Sequence, residues 1–420
     1  MVWSQRAQGP KKKETLIKNS SPALQKHLAI FIPWLAGGGV ARVMLHLAES
    51  FVGQGHKVDL VLCQRKGPYA NKIPPGVNVI ELKRTGIILS RIRVLLANPE
   101  AIRSLCLPIL LAIKPPKTIR YLQGLATYLR REQPDALLSA KTPANLLAIW
   151  AKRLARVQTR IVVSERTHLS MGTRQSPKWR WRFVAPLIGK VYPRAERIVT
   201  VSRGVADDLA TSTGLPRATI GTIYNPTLTT EIAEKAQTPT SHTWLPPTTL
   251  PVILGVGRLV PQKDFPTLLK AFAYVHMKYP ARLIILGEGR ERAKLEALVS
   301  ELGIAKDVSF PGFEPNPYAF MARASVFVLS SAWEGLPNVL IEALACGCPV
   351  VSTNCPSGPQ EILDNGAFGP LVPVGDDRAL AEAILHTLKN PPNAEGLRSR
   401  AAEFDIQTIA KQYLQALLPK

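Results

Sequence analysis

Ser331-Ala332-Trp333-Glu334-Gly335-Leu336-Pro337-Asn338-Val339-Leu340-Ile341-Glu342-Ala343-Leu344-Ala345-Cys346-Gly347-Cys348-Pro349-Val350-Val351 is the stretch that decides the fold of this chain. An apolar run from Ala324 to Leu329 precedes it and reads as a buried strand. Gly335 and Pro337 mark a loop, and Asn338 is placed to cap a helix whose apolar positions continue through Leu344. Gly347 and Pro349 end that helix, and Val350-Val351-Ser352-Thr353 reads as the next strand. The stretch is a strand–loop–helix–strand unit.

Two carboxylates, Glu334 and Glu342, stand eight positions apart within it. With the helix starting near Asn338, Glu342 falls in its second turn and Glu334 in the loop before it. Both then reach one ligand from the two ends of the segment. Loop amides beside a helix start suit a phosphate. Carboxylates suit sugar and ribose hydroxyls, because they only accept and each takes a bidentate pair. The spacing alone favours a solvent-exposed helix Glu and a loop Glu; the surrounding residues reverse that reading.

Those residues resemble the E-x7-E signature of retaining glycosyltransferases of the GT-B fold, glycosyltransferase family four. The fuller form, E-G-x-P-x-x-x-x-E-A-x-A-x-G-x-P-V, matches at every fixed position from Glu334 to Val350. The resemblance implies an α/β chain of two Rossmann-like domains facing across a cleft, with a C-terminal helix crossing back to the first. It implies that Glu342 holds a nucleotide ribose and that Glu334 touches the donor sugar, with Gly335, Leu336 and Asn338 beside them.

Upstream, Pro251 to Arg258 reads as a strand ending in Gly257 and Arg258. Lys263 precedes Asp264, a plausible cap, and Pro266 lies in the first helical turn. Arg258 and Lys263 thus flank one anion beside a helix start, and two positive charges suffice for a diphosphate without a metal. The string Gly255-Val256-Gly257-Arg258-Leu259 with Lys263-Asp264 is similar to the family's diphosphate clamp. By the same resemblance, the ends of the strands Arg282–Leu286 and Val308–Pro311 frame the nucleobase, near Gly287 and Phe313. Cys355-Pro356-Ser357-Gly358-Pro359-Gln360-Glu361-Ile362 resembles a family loop common in surface polysaccharide and lipid-linked glycan synthesis.

The chain has 420 residues, enough for two ordinary cores. No uncharged apolar run reaches membrane-spanning length. Five cysteines (Cys63, Cys106, Cys346, Cys348, Cys355) show neither metal spacing nor a disulfide framework, which fits reduced thiols in the cytoplasm. Charge is unevenly divided. Residues 1–230 hold 36 Lys and Arg against 11 Asp and Glu, whereas residues 231–420 hold 17 against 19. The first half therefore expects a polyanionic partner: a membrane surface, a phosphate-bearing lipid or nucleic acid.

Residues 1–25 read as a basic disordered tail containing Lys11-Lys12-Lys13. A buried strand, Leu28–Ile32, leads into Gly37-Gly38-Gly39 and a helix from Val40 to about Phe51. No Gly-Lys-Ser/Thr follows, so this is not a Walker A loop; it resembles the family's first glycine loop, which faces the cleft. The strand Arg160–Val163 runs into Glu165, Arg166 and His168, which are cleft or acceptor candidates because ligands gather at strand ends in α/β sheets. Glu165 as a general base is the boldest of these assignments. From Gly86 to Leu129, apolar residues alternate with Arg91, Arg93, Arg103, Lys114, Lys117 and Arg120, in pieces broken by prolines. Lys178, Trp179, Arg180, Trp181 and Arg182 interleave bases with aromatics. Both patterns suit an anionic bilayer surface, and the second also suits stacked nucleic-acid bases. Asp207-Asp208 is not the D-x-D metal motif of the other glycosyltransferase fold, so no metal is expected.

The expected organisation is a tail (1–25), an acceptor domain (26–230), a linker (231–249), a nucleotide-sugar domain (250–400) and a terminal helix (401–420) packing back on the first domain. The expected enzyme is a retaining hexosyl- or N-acetylhexosaminyl-transferase. Arg258, Lys263 and Glu334 are its catalytic residues and Gly257 lines the clamp. Its donor is a nucleotide sugar, a UDP-sugar first, and it needs no cofactor. Its acceptor is a lipid-linked glycan, met at the inner face of the cell membrane. A soluble acceptor is the alternative within the enzyme class. A nucleic-acid-binding protein on this scaffold is the alternative outside it, disfavoured because the donor-site residues are all present.

Overall fold

The computed structural model describes residues 25–36, 38–175, 179–240, 242–245 and 250–419; the side chains of Trp179 and Arg180 are outside that description. The basic tail (apart from Gln25), Gly37 and Lys178 lie outside the described residues.

Apolar runs buried on both faces form the central strands, as all-parallel sheets require. The first domain contributes β1 (His27–Ile32), β2 (Lys57–Leu62), β3 (Val77–Glu81), β4 (Ala136–Ala140), β5 (Arg160–Glu165), β6 (Arg197–Thr200) and β7 (Ile220–Thr222). They pair in parallel in the order β3-β2-β1-β4-β5-β6-β7. The second contributes β8 (Val252–Val256), β9 (Arg282–Leu286), β10 (Val308–Gly312), β11 (Val326–Leu329), β12 (Val350–Thr353) and β13 (Leu371–Val372). Their order is β10-β9-β8-β11-β12-β13, again parallel throughout.

Helices that bear on the site are α1 (Gly39–Gly53), α2 (Ile87–Ala97), α3 (Thr142–Ala155), α4 (Arg203–Thr213), α5 (Thr230–Gln237), α6 (Phe265–Lys278), α7 (Asn338–Ala345) and α8 (Ile406–Leu417). Side chains alternate along β1. Leu28, Ile30 and Ile32 join one apolar cluster with α1 and α8, while Ala29 and Phe31 join the cluster on the opposite face. The terminal helix α8 thus crosses back to the first domain, with Ile409, Ala410, Tyr413 and Leu417 in that cluster. Asp405 starts it, accepting from the amides of Gln407 and Thr408.

Strand reversals in the two sheets fall between β1 and β4 and between β8 and β11. Loops leaving such neighbours diverge, so a crevice opens at their carboxyl ends. The candidate residues near Gly38, Gly257 and Glu334 all follow strands at these two points.

Two readings need correction. The stretch taken as linker begins with helix α5, whose Ile232 is buried in the second domain's core together with Leu245. Asn316 donates to the Lys235 carbonyl at 3.0 Å and Arg323 to the Ala236 carbonyl at 3.0 Å, which anchors the helix there. Asn338 is the first residue of α7 and not its cap; Pro337 holds that position without a side-chain bond.

Candidate active site

Gly257 directly follows strand β8 because the turn there must leave room. A Cβ there would lie 3.0 Å from Cε of Lys263. Gly287, at the end of β9, has φ +136°, and a Cβ on it would come 1.9 Å from the Gly257 carbonyl oxygen. Only glycine permits that approach. The lysine stem folds over this glycine floor, and Nζ of Lys263 lies 2.6 Å from Oε1 of Glu334. Ser331 Oγ donates to the same oxygen at 2.7 Å, and Gln262 reaches the Trp333 carbonyl at 3.0 Å. The pair uses one of the three donors of the ammonium. Arg258 is exposed beside it, with no ion pair among the described residues. Asp264 precedes α6 with φ 44° and makes no backbone cap; its carboxylate accepts from the Thr267 hydroxyl at 2.7 Å. Phe313 is 75% exposed, so its ring is not core packing.

The loop from Glu334 to Pro337 is closed against the first domain. A Cβ on Gly335 would lie 2.2 Å from the Arg166 carbonyl oxygen, and Ser202 donates to the Gly335 carbonyl at 2.8 Å. Leu336 buries its side chain in the second domain's core. Oδ1 of Asn338 accepts from Asn225 at 2.6 Å. Glu342, 1% exposed, is ion-paired with Arg42 of α1, whose other nitrogen donates to the Tyr318 hydroxyl at 3.0 Å. The carboxylate of Glu361 accepts from the amides of Arg203 and Gly204 at the start of α4, at 2.8 and 3.0 Å.

On the first-domain wall, Gly38 turns into α1 with φ +114°, and Gly39 packs close to Asn338, 3.1 Å from a notional Cβ to Nδ2. Glu165 does not face the cleft. It is 1% exposed and accepts from Asn145 at 3.1 Å and from the Tyr192 hydroxyl. Burial pushes its carboxyl above the usual range, while bonds from Tyr192, Thr142 and Asn145 work the other way. Arg166 is also buried, giving its guanidinium to Tyr413 at 2.8 Å and Asn225 at 2.7 Å. His168 lies 3.2 Å from Asp208, and burial lowers its pKa against that carboxylate. Asp207 pairs with Arg217.

Sequence reasoning missed Arg42, Asn225, Tyr318 and Lys141. Lys141 ends β4 with φ 77° and keeps solvent exposure at the cleft. Close surroundings and the charges of Arg258 and Arg166 push its pKa below the usual lysine value. Cations from both domains therefore converge on the region between β4 and β8. Among the described residues, no group of three His, Cys, Asp or Glu side chains could hold a metal ion.

Of the membrane candidates, Arg182 is exposed, and Trp181 is half-buried against the first-domain core. Beside them lies a wider apolar face: Ile88, Leu89, Ile92 and Leu96 on α2, then Ile102, Leu107, Leu111 and Ile113, all exposed, the last by 95%. Arg91 of α2 bonds the Ala112 carbonyl and joins the two parts. Exposed Arg103 and Lys117 flank them.

Comparison with known proteins agrees with this architecture. Residues 238–404 match the group 1 glycosyl transferases, and residues 37–230 match Glycosyltransferase Family 4. The chain is 30% identical over 398 residues to the N-acetylgalactosamine-N,N'-diacetylbacillosaminyl-diphospho-undecaprenol 4-alpha-N-acetylgalactosaminyltransferase of Campylobacter jejuni, covering 93% of this chain and 99% of that protein. It is 37% identical to the lipopolysaccharide core biosynthesis glycosyltransferase LpsE of Rhizobium meliloti, over 41% of this chain and 52% of the relative. Among solved structures, a Rickettsia africae glycosyltransferase superposes with a TM-score of 0.73 at 14% identity, covering 95% of this chain and all of the other. Anabaena HepE in complex with UDP-glucose gives 0.71 at 18% identity, covering 94% of this chain and 99% of HepE. The full-length likeness to the Campylobacter enzyme and the two family matches together show that the chain belongs to the GT-B glycosyltransferases of family 4, group 1.

Proposed function

We propose that this glycosyltransferase takes a hexosyl or N-acetylhexosaminyl group from a nucleotide sugar, a UDP-sugar first, and passes it with retention to a lipid-linked glycan. The setting is the cytoplasmic face of the cell membrane, during surface polysaccharide or glycoconjugate synthesis. The carrying observation is the Lys263–Glu334 pair beside exposed Arg258 at the reversal of the second sheet. On this reading Arg258 and Lys263 meet the diphosphate as its charge develops, where fixed cations act most strongly. Glu334 orients the sugar and Glu342 the ribose. The bond from the anomeric carbon to the diphosphate breaks, and the acceptor hydroxyl forms the new bond on the same face. Its proton leaves with the diphosphate, and no protein nucleophile takes part.

The lipid-linked acceptor is supported by two features. The Campylobacter relative is named for a diphospho-undecaprenol substrate. The exposed apolar face of α2 and residues 102–113, flanked by bases, suits the surface of an anionic bilayer. No helix among the described residues is long and apolar enough to cross a membrane, so the contact would be peripheral.

A thermal-shift screen with UDP, GDP and ADP and their common sugars tests the donor half. Stabilisation by one nucleotide, lost in Glu342→Ala, is expected; no stabilisation by any of them would sink the reading. Flotation with anionic vesicles tests the acceptor half. Wild-type protein should float and the Leu111→Asp/Ile113→Asp double variant should stay behind. Equal flotation of both, with transfer to soluble glycans only, would move the reading to the soluble acceptor.

A further inference from the structure

Glu342 belongs to the second domain, yet its counter-charge comes from the first. Arg42 stands one turn into α1, 300 positions away in sequence, and binds Oε1 of Glu342 through one nitrogen and the Tyr318 hydroxyl through another. The carboxylate side chain is 2% exposed, and the arginine side chain 25%. Burial works against the arginine's charge, and the Glu342 carboxylate holds it charged all the same. Among the described residues, Oε2 of Glu342 takes no hydrogen bond. A second strut runs alongside: Tyr413 of α8, Arg166, Asn225 and Asn338 form a chain of bonds of 2.8, 2.7 and 2.6 Å that ends on the first residue of α7. Helix α7 is therefore fastened to the first domain at Asn338 and at Glu342.

We infer that Arg42 is a positioning residue for donor recognition: it fixes Oε1 of Glu342 from across the cleft and so presents Oε2 to a ribose hydroxyl. This rests on the reading of Glu342 as the ribose carboxylate. A planar guanidinium satisfies the carboxylate and the phenol at once, which an ammonium does not reproduce. The ribose site is thereby complete only while the two domains are in contact, and nucleotide binding and domain contact favour each other.

The test compares UDP with 2',3'-dideoxyuridine diphosphate, by calorimetry, on the wild type, Arg42→Lys and Arg42→Ala. Thermal melts confirm that each variant is folded. The wild type should prefer UDP at least tenfold. Arg42→Ala should bind both diphosphates alike, within about twofold, because the carboxylate no longer faces the ribose. Arg42→Lys should fall between. A general loosening of the protein would weaken both ligands equally and leave their ratio intact; an unchanged ratio in folded Arg42→Ala overturns the inference while the donor reading stands. If the thermal screen selects GDP or ADP, the same comparison is made with that diphosphate and its dideoxy analogue; failure of the wild type to discriminate between the pair overturns the ribose reading and this inference with it.

Discussion

Glu334 and Glu165 are both buried carboxylates, one in each domain, and their company differs. Glu334 is 8% exposed and touches Lys263, Ser331 and Gln262 beside exposed Arg258. Glu165 is 1% exposed and meets neutral side-chain donors, Tyr192, Asn145 and Thr142, inside the first-domain core. Glu334 follows a strand of one parallel sheet and Glu165 ends a strand of the other, where ligands gather. The first sits against a counter-charge that a ligand could share. The second is sealed and pushed toward its neutral form. The contrast extends to the neighbours: on the first-domain wall, Arg166 and His168 are bound to the protein itself, while Arg258 and Lys141 are left facing solvent. Position at a strand end does not make a ligand-binding residue; access and the charge of its partners do.

The largest effect should come from Lys263→Ala. On the proposed reading it removes a cation from the developing diphosphate, and it leaves Glu334 without its counter-charge. Transfer should fall about 100- to 1,000-fold in kcat, in line with the loss of one preorganised donor. Steady-state kinetics with one donor and one acceptor measures it. A fall of less than threefold would erase the distinction between the two carboxylates, since Glu334's partner would then matter no more than Glu165's.

Much of the second-domain side was legible in the residues because its parts are local. Gly257, Lys263 and Glu334 sit on loops after β8 and β11, which are neighbours in one sheet, and the fixed positions of the motif spell out the loop between them. On the first-domain side Gly39 and Arg166 were read as cleft candidates, but their partners were not legible. Arg42 precedes Glu342 by 300 positions and Asn225 precedes Asn338 by 113, and no periodicity marks pairs at such range. Lys141 reads as an ordinary loop lysine until its φ of 77° and its place opposite Arg258 are seen. Glu165 looked available because its strand points at the cleft; Tyr192, 27 positions later, covers it. Helix α5 was lost in a segment whose prolines and threonines lie mostly after Gln237.

An intermediate effect tests whether first-domain polar groups serve the fold, as the contrast demands. His46 lies one turn beyond Arg42 on α1, and burial together with the Arg42 charge pushes its pKa down to about 4. The folded ring is neutral, whereas the unfolded ring takes up a proton below its ordinary value near 6.5. Its contribution is therefore fully present above about pH 6.5 and is lost as pH falls toward 4, on the order of 3 kcal/mol in all. Denaturant titrations at pH 7 and pH 4.5 should show a steeper acid loss in the wild type than in His46→Gln. Parallel pH profiles would mean that this ring is not the group taking up the proton.

The smallest effect should be the most discriminating. Glu165→Gln keeps the shape of the side chain and an oxygen that accepts from Tyr192 and Asn145, and it removes only the ability to take a proton. If the carboxyl serves the fold, kcat should stay within about threefold of the wild type, because a buried group already biased to its neutral form loses little on becoming an amide. Melting should shift by no more than a few degrees, as expected for a change of about 1 kcal/mol. A general base cannot tolerate the same change: without a proton acceptor, the rate would drop about 100-fold or more while the fold survived. That outcome would reverse the assignment, place Glu165 among the reacting groups despite its burial, and require the Tyr192 side to open during turnover.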